Sequence, residues 1–187
     1  NPVGDLTDVQ VNTNSSIPAK QTGNIDLSTN LDADATQKAQ WTTAAPNQYQ
    51  DPNVSSNFTT STQIYDSLGQ SHTLTTYFTK INDGNNEWSY HTAVSADEIS
   101  GASASEIVDT DSDGTVDTAY VAEGSFQFDA NGQFNGFTGT VGEFPAGSQS
   151  GSSFTSAQMD WTNGADTTQQ VATNLDLTQF SGQSEVV

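Results

Sequence analysis

Thr62-Gln63-Ile64-Tyr65-Asp66-Ser67-Leu68-Gly69-Gln70-Ser71-His72-Thr73-Leu74-Thr75-Thr76-Tyr77-Phe78-Thr79-Lys80 is the stretch that decides the fold. Two runs of β-branched and aromatic residues flank a break at residues 66–71. Side chains in a strand alternate faces, so Thr60, Thr62 and Ile64 point one way and Ser61, Gln63 and Tyr65 the other. On the return run Leu74, Thr76 and Phe78 share a face, opposite Thr73, Thr75 and Tyr77. Asp66 and Ser67 can bond their own backbone in a turn, and Gly69 can take positive φ, so the break reads as a hairpin connection. Ile64, Leu74 and Phe78 are then core residues, with Tyr65 beside Tyr77 across the hairpin.

Working outward, a third strand is expected at residues 87–94 after the turn Asn82-Asp83-Gly84-Asn85-Asn86, which makes an antiparallel meander. A strand at 23–29 precedes the hairpin, with Ile25 and Leu27 on one face. Residues 32–53 are polar and punctuated by Pro46 and Pro52, hence loop, with a helical turn near 33–39. Residues 95–119 are acidic and rich in small residues, an excursion from the sheet. Phe126 and Phe128 alternate in a strand at 124–129. Asp129-Ala130-Asn131-Gly132 then turns the chain into 133–140, because Asn-Gly tolerates positive φ. Residues 145–151 form a Gly/Ser loop, and 153–161 and 171–177 supply two more strands. No helix longer than about two turns has convincing periodicity. The expected class is all-β, an antiparallel β-barrel or sandwich built from hairpins with long polar loops.

Hydrophobic residues make up 32% of the 187, below the usual globular share, so the core is thin and the outer faces heavily solvated. The formal charge of −20 comes from 23 acidic residues against three lysines. Such a surface repels phosphate backbones and anionic lipid, which argues against nucleic-acid or membrane partners. It attracts divalent cations and suits an exterior where salt screens the repulsion. With no cysteine there is neither a disulfide framework nor thiol chemistry. No run approaches the ~20 apolar residues of a membrane-spanning helix. The opening Asn1-Pro2-Val3-Gly4 has no Met and reads as an excised middle segment or a processed product.

The sharpest chemical motif is Asp109-Thr110-Asp111-Ser112-Asp113-Gly114-Thr115-Val116-Asp117. Asp109, Asp111, Asp113, Thr115 and Asp117 have the spacing of a calcium loop, in which alternate carboxylates converge on one hard cation and the glycine allows the sharp turn. Tyr120 stands where the motif expects a bidentate Glu, and no helices flank the loop. A structural calcium site and a solvated acidic loop both remain open. The outline of Asp129-Ala130-Asn131-Gly132 is similar but lacks further ligands, and a hairpin turn accounts for it. Catalysis has little support. His72 and His91 read as half-exposed strand residues, and there is no nucleophile elbow or zinc-binding helix. Sequons occur at Asn14, Asn53 and Asn57, as chance supplies in such a composition. Trp41, Trp88 and Trp161 could form a sugar-stacking platform, although a core or edge position apiece explains them as well.

The run Ile64-Tyr65-Asp66-Ser67-Leu68-Gly69-Gln70-Ser71-His72-Thr73-Leu74, followed by Tyr77-Phe78 and Trp88, resembles the bacterial flagellar hook protein family. Tyr65, Asp66, Ser67, Leu68, Gly69, His72, Leu74, Tyr77, Phe78 and Trp88 carry that signature. Phe126-Gln127-Phe128-Asp129-Ala130-Asn131-Gly132 is similar to a later hairpin of the family, and Asp176-Leu177-Thr178-Gln179-Phe180-Ser181-Gly182 to the segment near the domain exit. Order and spacing agree over roughly residues 20–183.

The resemblance implies a structural subunit, not an enzyme, and no cofactor; the 109–117 loop is not part of the family pattern, and calcium there is read from its spacing alone. Hook subunits assemble helically into an extracellular tube that acts as a universal joint between motor and filament. Implied partners are other hook subunits and, through the full-length protein, rod, cap and junction proteins. Residues 1–21 are then a connecting arm or strand of the next domain inward, 22–183 the outer β domain, and 184–187 the exit strand. The alternative is a calcium-dependent bacterial cell-surface or adhesin-like module, for which only the 109–117 loop speaks.

Overall fold

The structure is a computed structural model in which residues 18–39, 52–101, 107–108, 117–139 and 148–180 are described. In chain order the elements are β1 (Asn24–Asp32), a one-turn helix α1 (Pro52–Ser55), β2 (Phe58–Tyr65), β3 (Ser71–Asn82), β4 (Glu87–Ser95), a 3-10 turn (Ala96–Glu98), β5 (Ile107–Val108), β6 (Thr118–Phe128), β7 (Phe134–Phe137), β8 (Ser148–Ser150), β9 (Ser153–Thr155) and β10 (Ala172–Phe180). The all-β expectation holds. The strands form a six-stranded sheet of order β2-β3-β4-β6-β5, with β7 also paired to β6, and a four-stranded sheet of order β1-β10-β9-β8.

The deciding hairpin forms as read. β2 and β3 pair antiparallel from Phe58↔Phe78 to Tyr65↔Ser71, and β4 completes the meander against β3. Along β3 the even positions His72, Leu74, Thr76, Phe78 and Lys80 are all buried. Near the turn the odd positions Ser71 and Thr73 are exposed, so the alternation survives there. From Tyr77 onward both faces are covered and it is lost, as it is through most of β4. Ile64, Leu74 and Phe78 enter the core as expected. The Tyr65–Tyr77 contact is a correction. The register puts Tyr77 opposite Thr59, at the far end of β2 from Tyr65. Tyr77 is instead buried with Ala93 and Tyr120 on the other face of the sheet.

The core lies between the sheets. Leu31 of β1, Phe154 of β9 and Leu175 and Leu177 of β10 pack against Phe78, Trp88, Tyr90, Ala122, Phe126 and Phe128 of the larger sheet. Phe126 sits centrally, its ring 5.5 Å from Phe128, 5.6 Å from Phe134 and 6.0 Å from Phe78. The Tyr90 and Phe154 rings stack at 4.5 Å and join the two sheets. Burial pushes the Tyr90 phenol well above its ordinary pKa, and Gln149 Nε2 donates to its oxygen at 3.0 Å. A second apolar cluster unites Ile64, Leu74, Val94, Ala119 and Val121 with Met159, Trp161, Ala165 and Val171.

Other differences from expectation have local causes. β6 starts at Thr118, six residues ahead of the expected start at 124, and its register against β4 shifts between Thr92 and Ala93. That shift lets Val121 and Ala119 face the core although Ala122 and Phe126 do too. Residues 33–34 form a plain turn, with no helical turn in 35–39. The Lys38 backbone N–H bonds Lys80 O, and Lys38 Nζ reaches Val54 O at 2.8 Å and Ser56 O at 2.7 Å. Only residues 153–155 of the expected 153–161 strand are in a ladder; beyond them the chain makes isolated bridges at Met159 and Trp161. The Asp129–Gly132 turn forms, with Gly132 at φ 76° and the Asn131 and Gln133 N–H groups on Asp129 Oδ1. Those two bonds hold the Asp129 carboxyl below its usual range.

The main departure from a pure hairpin fold is β1. It pairs with β10 in parallel, in register over nine residues from Asn24↔Ala172 to Asp32↔Phe180. Parallel strands need a crossover, and here the entire six-stranded sheet intervenes in sequence.

Candidate functional site

The resemblance signature folds into a polar node at the turn end of the β2–β3 hairpin. Asp66 is fully buried. Its Oδ1 accepts from the Leu68 N–H at 2.8 Å and the Gln70 N–H at 2.9 Å, which fixes the turn. Its Oδ2 accepts from Asn163 Nδ2 at 2.5 Å and lies 3.1 Å from His72 Nε2. Gly69 is at φ 84°, a conformation that favours glycine, and a Cβ there would stand 3.0 Å from Ala19 Cβ. The Ser67 hydroxyl accepts from the Asp166 N–H at 2.8 Å. A serine–aspartate turn is needed here because one carboxylate closes the turn and also reaches another part of the chain.

His72 faces a carboxylate with each ring nitrogen, as Nδ1 is 3.1 Å from Glu98 Oε2. One nitrogen donates in either neutral tautomer, and both donate when the ring is protonated. The ring stacks on Trp161 at 3.7 Å with 12° between planes. Trp161 Nε1 donates to Gln169 Oε1 at 2.8 Å, and Gln169 Nε2 bonds both Thr22 O and Tyr65 O at 3.0 Å. Tyr65 and Thr22 also exchange bonds directly. Four separate stretches therefore meet here: the segment leading into β1, the hairpin turn, the 3-10 turn after β4, and the connection from β9 to β10.

Burial alone would push the Asp66 carboxyl up. Hydrogen bonds from Asn163, His72 and the Gln70 and Leu68 N–H groups outweigh it and lower the pKa to about 2. Asp166, bonded by Thr168, is likewise below its usual range.

An acid–His–acid array invites a catalytic reading, but the geometry points the other way. The ring is closed under Trp161, each nitrogen is occupied by a different carboxylate, and Ser67 Oγ is engaged by Asp166. At this node the imidazole nitrogens and the serine hydroxyl are all engaged within the chain. Among the described residues no group of three or more His, Cys, Asp or Glu is placed to hold a metal ion. The arrangement orients chain segments.

The remaining signature residues serve the frame. Leu74, Phe78 and Trp88 are core, Tyr77 is buried on the opposite face, and Tyr65 and Leu68 are exposed at the node's rim. His72 and His91 are buried, which corrects their half-exposed reading. His72 lies on the core face with Leu74 and Phe78, while His91 sits opposite Tyr77, its Nε2 3.4 Å from Glu123 Oε2 and its ring 5.5 Å from that of Tyr120. Trp88 and Trp161 are core, so no stacking platform includes them. Trp41 lies outside the described residues, as do 109–116 of the acidic loop. Its last member, Asp117, supplies O to the Ala96 N–H. Tyr120 is buried in β6 with Tyr77 and Ala93, which explains an aromatic residue at the motif's twelfth position. Asn57, one of the sequon residues, spends its side chain on Thr36 O and the Lys80 N–H. Sequence reasoning missed Glu98, Asn163 and Gln169, whose partners in the hairpin lie at least 26 residues away. Only the Asn163-Gly164 pair, a turn signal, gave any hint.

Among the described residues no helix is long and apolar enough to cross a membrane. A search of curated proteins returned no match. Among solved structures, the 32 kDa fragment of the flagellar hook protein FlgE from Caulobacter crescentus is 16% identical with a TM-score of 0.47. The match covers 74% of this chain and 50% of that one, so the chain spans about half the length of that fragment. Residues 30–187 match the family described as flagellar basal body protein FlaE D2 domain, which is a structural family of the flagellar hook and not an enzyme family, and the chain belongs to it.

Proposed function

We propose that this chain is the outward-facing middle domain of a flagellar hook subunit, placed outside the cell in a helical homopolymer that serves as a flexible joint between motor and filament. The carrying observation is the family match over residues 30–187, which contains the hairpin signature. The domain acts without catalysis, as a body whose surface meets neighbouring copies. That surface is unusually acidic. Two of the three lysines are turned inward, Lys38 to the carbonyls of Val54 and Ser56, and Lys80 to Ala33 O and Asp83. Uncompensated carboxylates favour small, wet contacts that re-form easily as a tube bends, and make them stronger in salt. Rod, cap and junction proteins are reached through the rest of the full-length subunit. The domain comprises residues 22–183, with 1–21 and 184–187 connecting it inward.

The Asp109–Asp117 spacing supports an accessory, structural calcium site in that domain. Its test is a thermal melt with calcium and with a chelator. A calcium-dependent rise abolished by Asp111→Ala with Asp113→Ala is expected, and identical melts would remove the site. The hook assignment has its own test, immunogold labelling of isolated flagella with antibody against this chain. Decoration of the short curved segment at the filament base is expected. Label on the filament or the cell wall alone would overturn the assignment.

A further inference from the structure

The parallel pair β1/β10 places the first and last described strands side by side, with the chain entering at one end of the ladder and leaving at the other. Asn24 is paired with Ala172, and Asp32 with Phe180. At ~3.3 Å per residue the entry and exit lie roughly 26 Å apart along the ladder. Tension between the two chain ends then drags β1 and β10 in opposite directions along their common axis. Every inter-strand hydrogen bond is loaded at once, in shear. If the strands were antiparallel neighbours, the same tension would open the bonds one at a time.

We infer that β1/β10 is a load-bearing clamp, which makes resistance to tension across the domain a further function of this fold. Three observations support it beyond topology. First, side-chain rungs reinforce the backbone ladder on its outer face. Asn174 Nδ2 donates to Asp26 Oδ1 at 2.7 Å, Ser28 Oγ to Asp176 Oδ2 at 3.3 Å, and Thr178 Oγ1 to Asn30 Oδ1. Second, the inner face of β1 is keyed into the core, with Leu31 fully buried and Leu27 and Ile25 packed against the two apolar clusters. Third, β10 is anchored from its other side by β9 and by the Gln179 N–H on Gly132 O. The strand that must slide is therefore β1, and it has to break the whole ladder to do so. This clamp is a property of the chain itself and does not depend on the proposed function.

The test is single-molecule pulling along two axes. The chain has no cysteine, so introduced thiols are unique handles. Lys20→Cys with a thiol appended after Val187 loads the ladder in shear. Lys20→Cys with Thr167→Cys places both handles beyond the Asn24/Ala172 end and peels it. A several-fold higher unfolding force in shear than in peeling is expected. Asn174→Ala with Thr178→Ala should lower the shear force and leave the peeling force nearly unchanged. Equal forces along the two axes, or a shear force indifferent to the rung variants, would overturn the inference. Neither result bears on family membership, which the labelling experiment tests separately. Melting temperatures of all variants identify any that fail to fold, and Ser28→Ala, a milder rung deletion, then takes their place with the same expectation.

Discussion

The centre of the sandwich and the turn end of its leading hairpin are held by opposite chemistry. Around Phe126 the contacts are aromatic and aliphatic, with rings from β3, β4, β6 and β7 within about 6 Å. Around Asp66 the burial is as complete, but the partners are N–H groups, an imidazole and an amide. The difference shows how a chain with only 32% hydrophobic residues holds both the middle and the turn end of a two-layer fold. Aromatic residues fill the middle, and at the turn end a buried carboxylate with its hydrogen-bond partners adds to the smaller apolar cluster of Ile64, Leu74 and Trp161. Hydrogen bonds to a charged group contribute more than neutral ones, about 1.5–3 kcal/mol each.

Breaking each region separately should give different signatures. Phe126→Ala removes the ring at the centre and leaves a cavity, so a loss of about 3–5 kcal/mol in denaturant unfolding is expected. Asp66→Ala strands several buried donors at once, and a loss of about 2–4 kcal/mol should follow. Asp66→Asn retains an oxygen for the Leu68 and Gln70 N–H groups, so it should cost clearly less than the alanine. At Gly69, alanine faces positive φ and the nearby Ala19 methyl, and about 1 kcal/mol is expected.

Acid sharpens the comparison. The folded Asp66 pKa of about 2 lies below its ordinary value of 3.8. Its contribution is therefore fully present above pH ~4 and is lost as pH falls towards 2, since the unfolded chain binds the proton first. Melts of the wild type and Asp66→Asn across that window should converge at low pH. Phe126→Ala should stay offset from the wild type by a constant amount. Parallel curves for Asp66→Asn would mean that the carboxylate's charge contributes nothing at the node.

What the sequence revealed follows from the range of each interaction. The β2–β3 hairpin, β4 and the Asp129–Gly132 turn rest on alternation and turn residues within about 20 positions, and these were legible. The signature also led to the family that residues 30–187 match. The β1/β10 pairing links positions 148 apart and leaves no local trace, because Ile25, Leu27 and Leu31 alternate as they would in any half-buried strand. The node was half legible. Asp66, Ser67 and Gly69 announced a turn, but nothing near them pointed to Glu98, Asn163 or Gln169. His72 was misjudged although alternation itself puts it on the core face with Leu74 and Phe78, and His91 because alternation along one strand does not reveal Tyr120 and Glu123 on the next.

Amide hydrogen exchange on the wild type and Asp66→Ala tests most directly whether the signature ties distant segments together. The expected result is a coupled loss of protection at Leu68 and Gln70 in the turn and at Met159 and Val171 in the connection to β10, whose N–H groups bond Gln169 O and Ser156 Oγ. Amides of the β4–β6 ladder should stay protected. Loss confined to residues 66–70, with Met159 and Val171 unchanged, would contradict the account and leave Asp66 a local turn residue only.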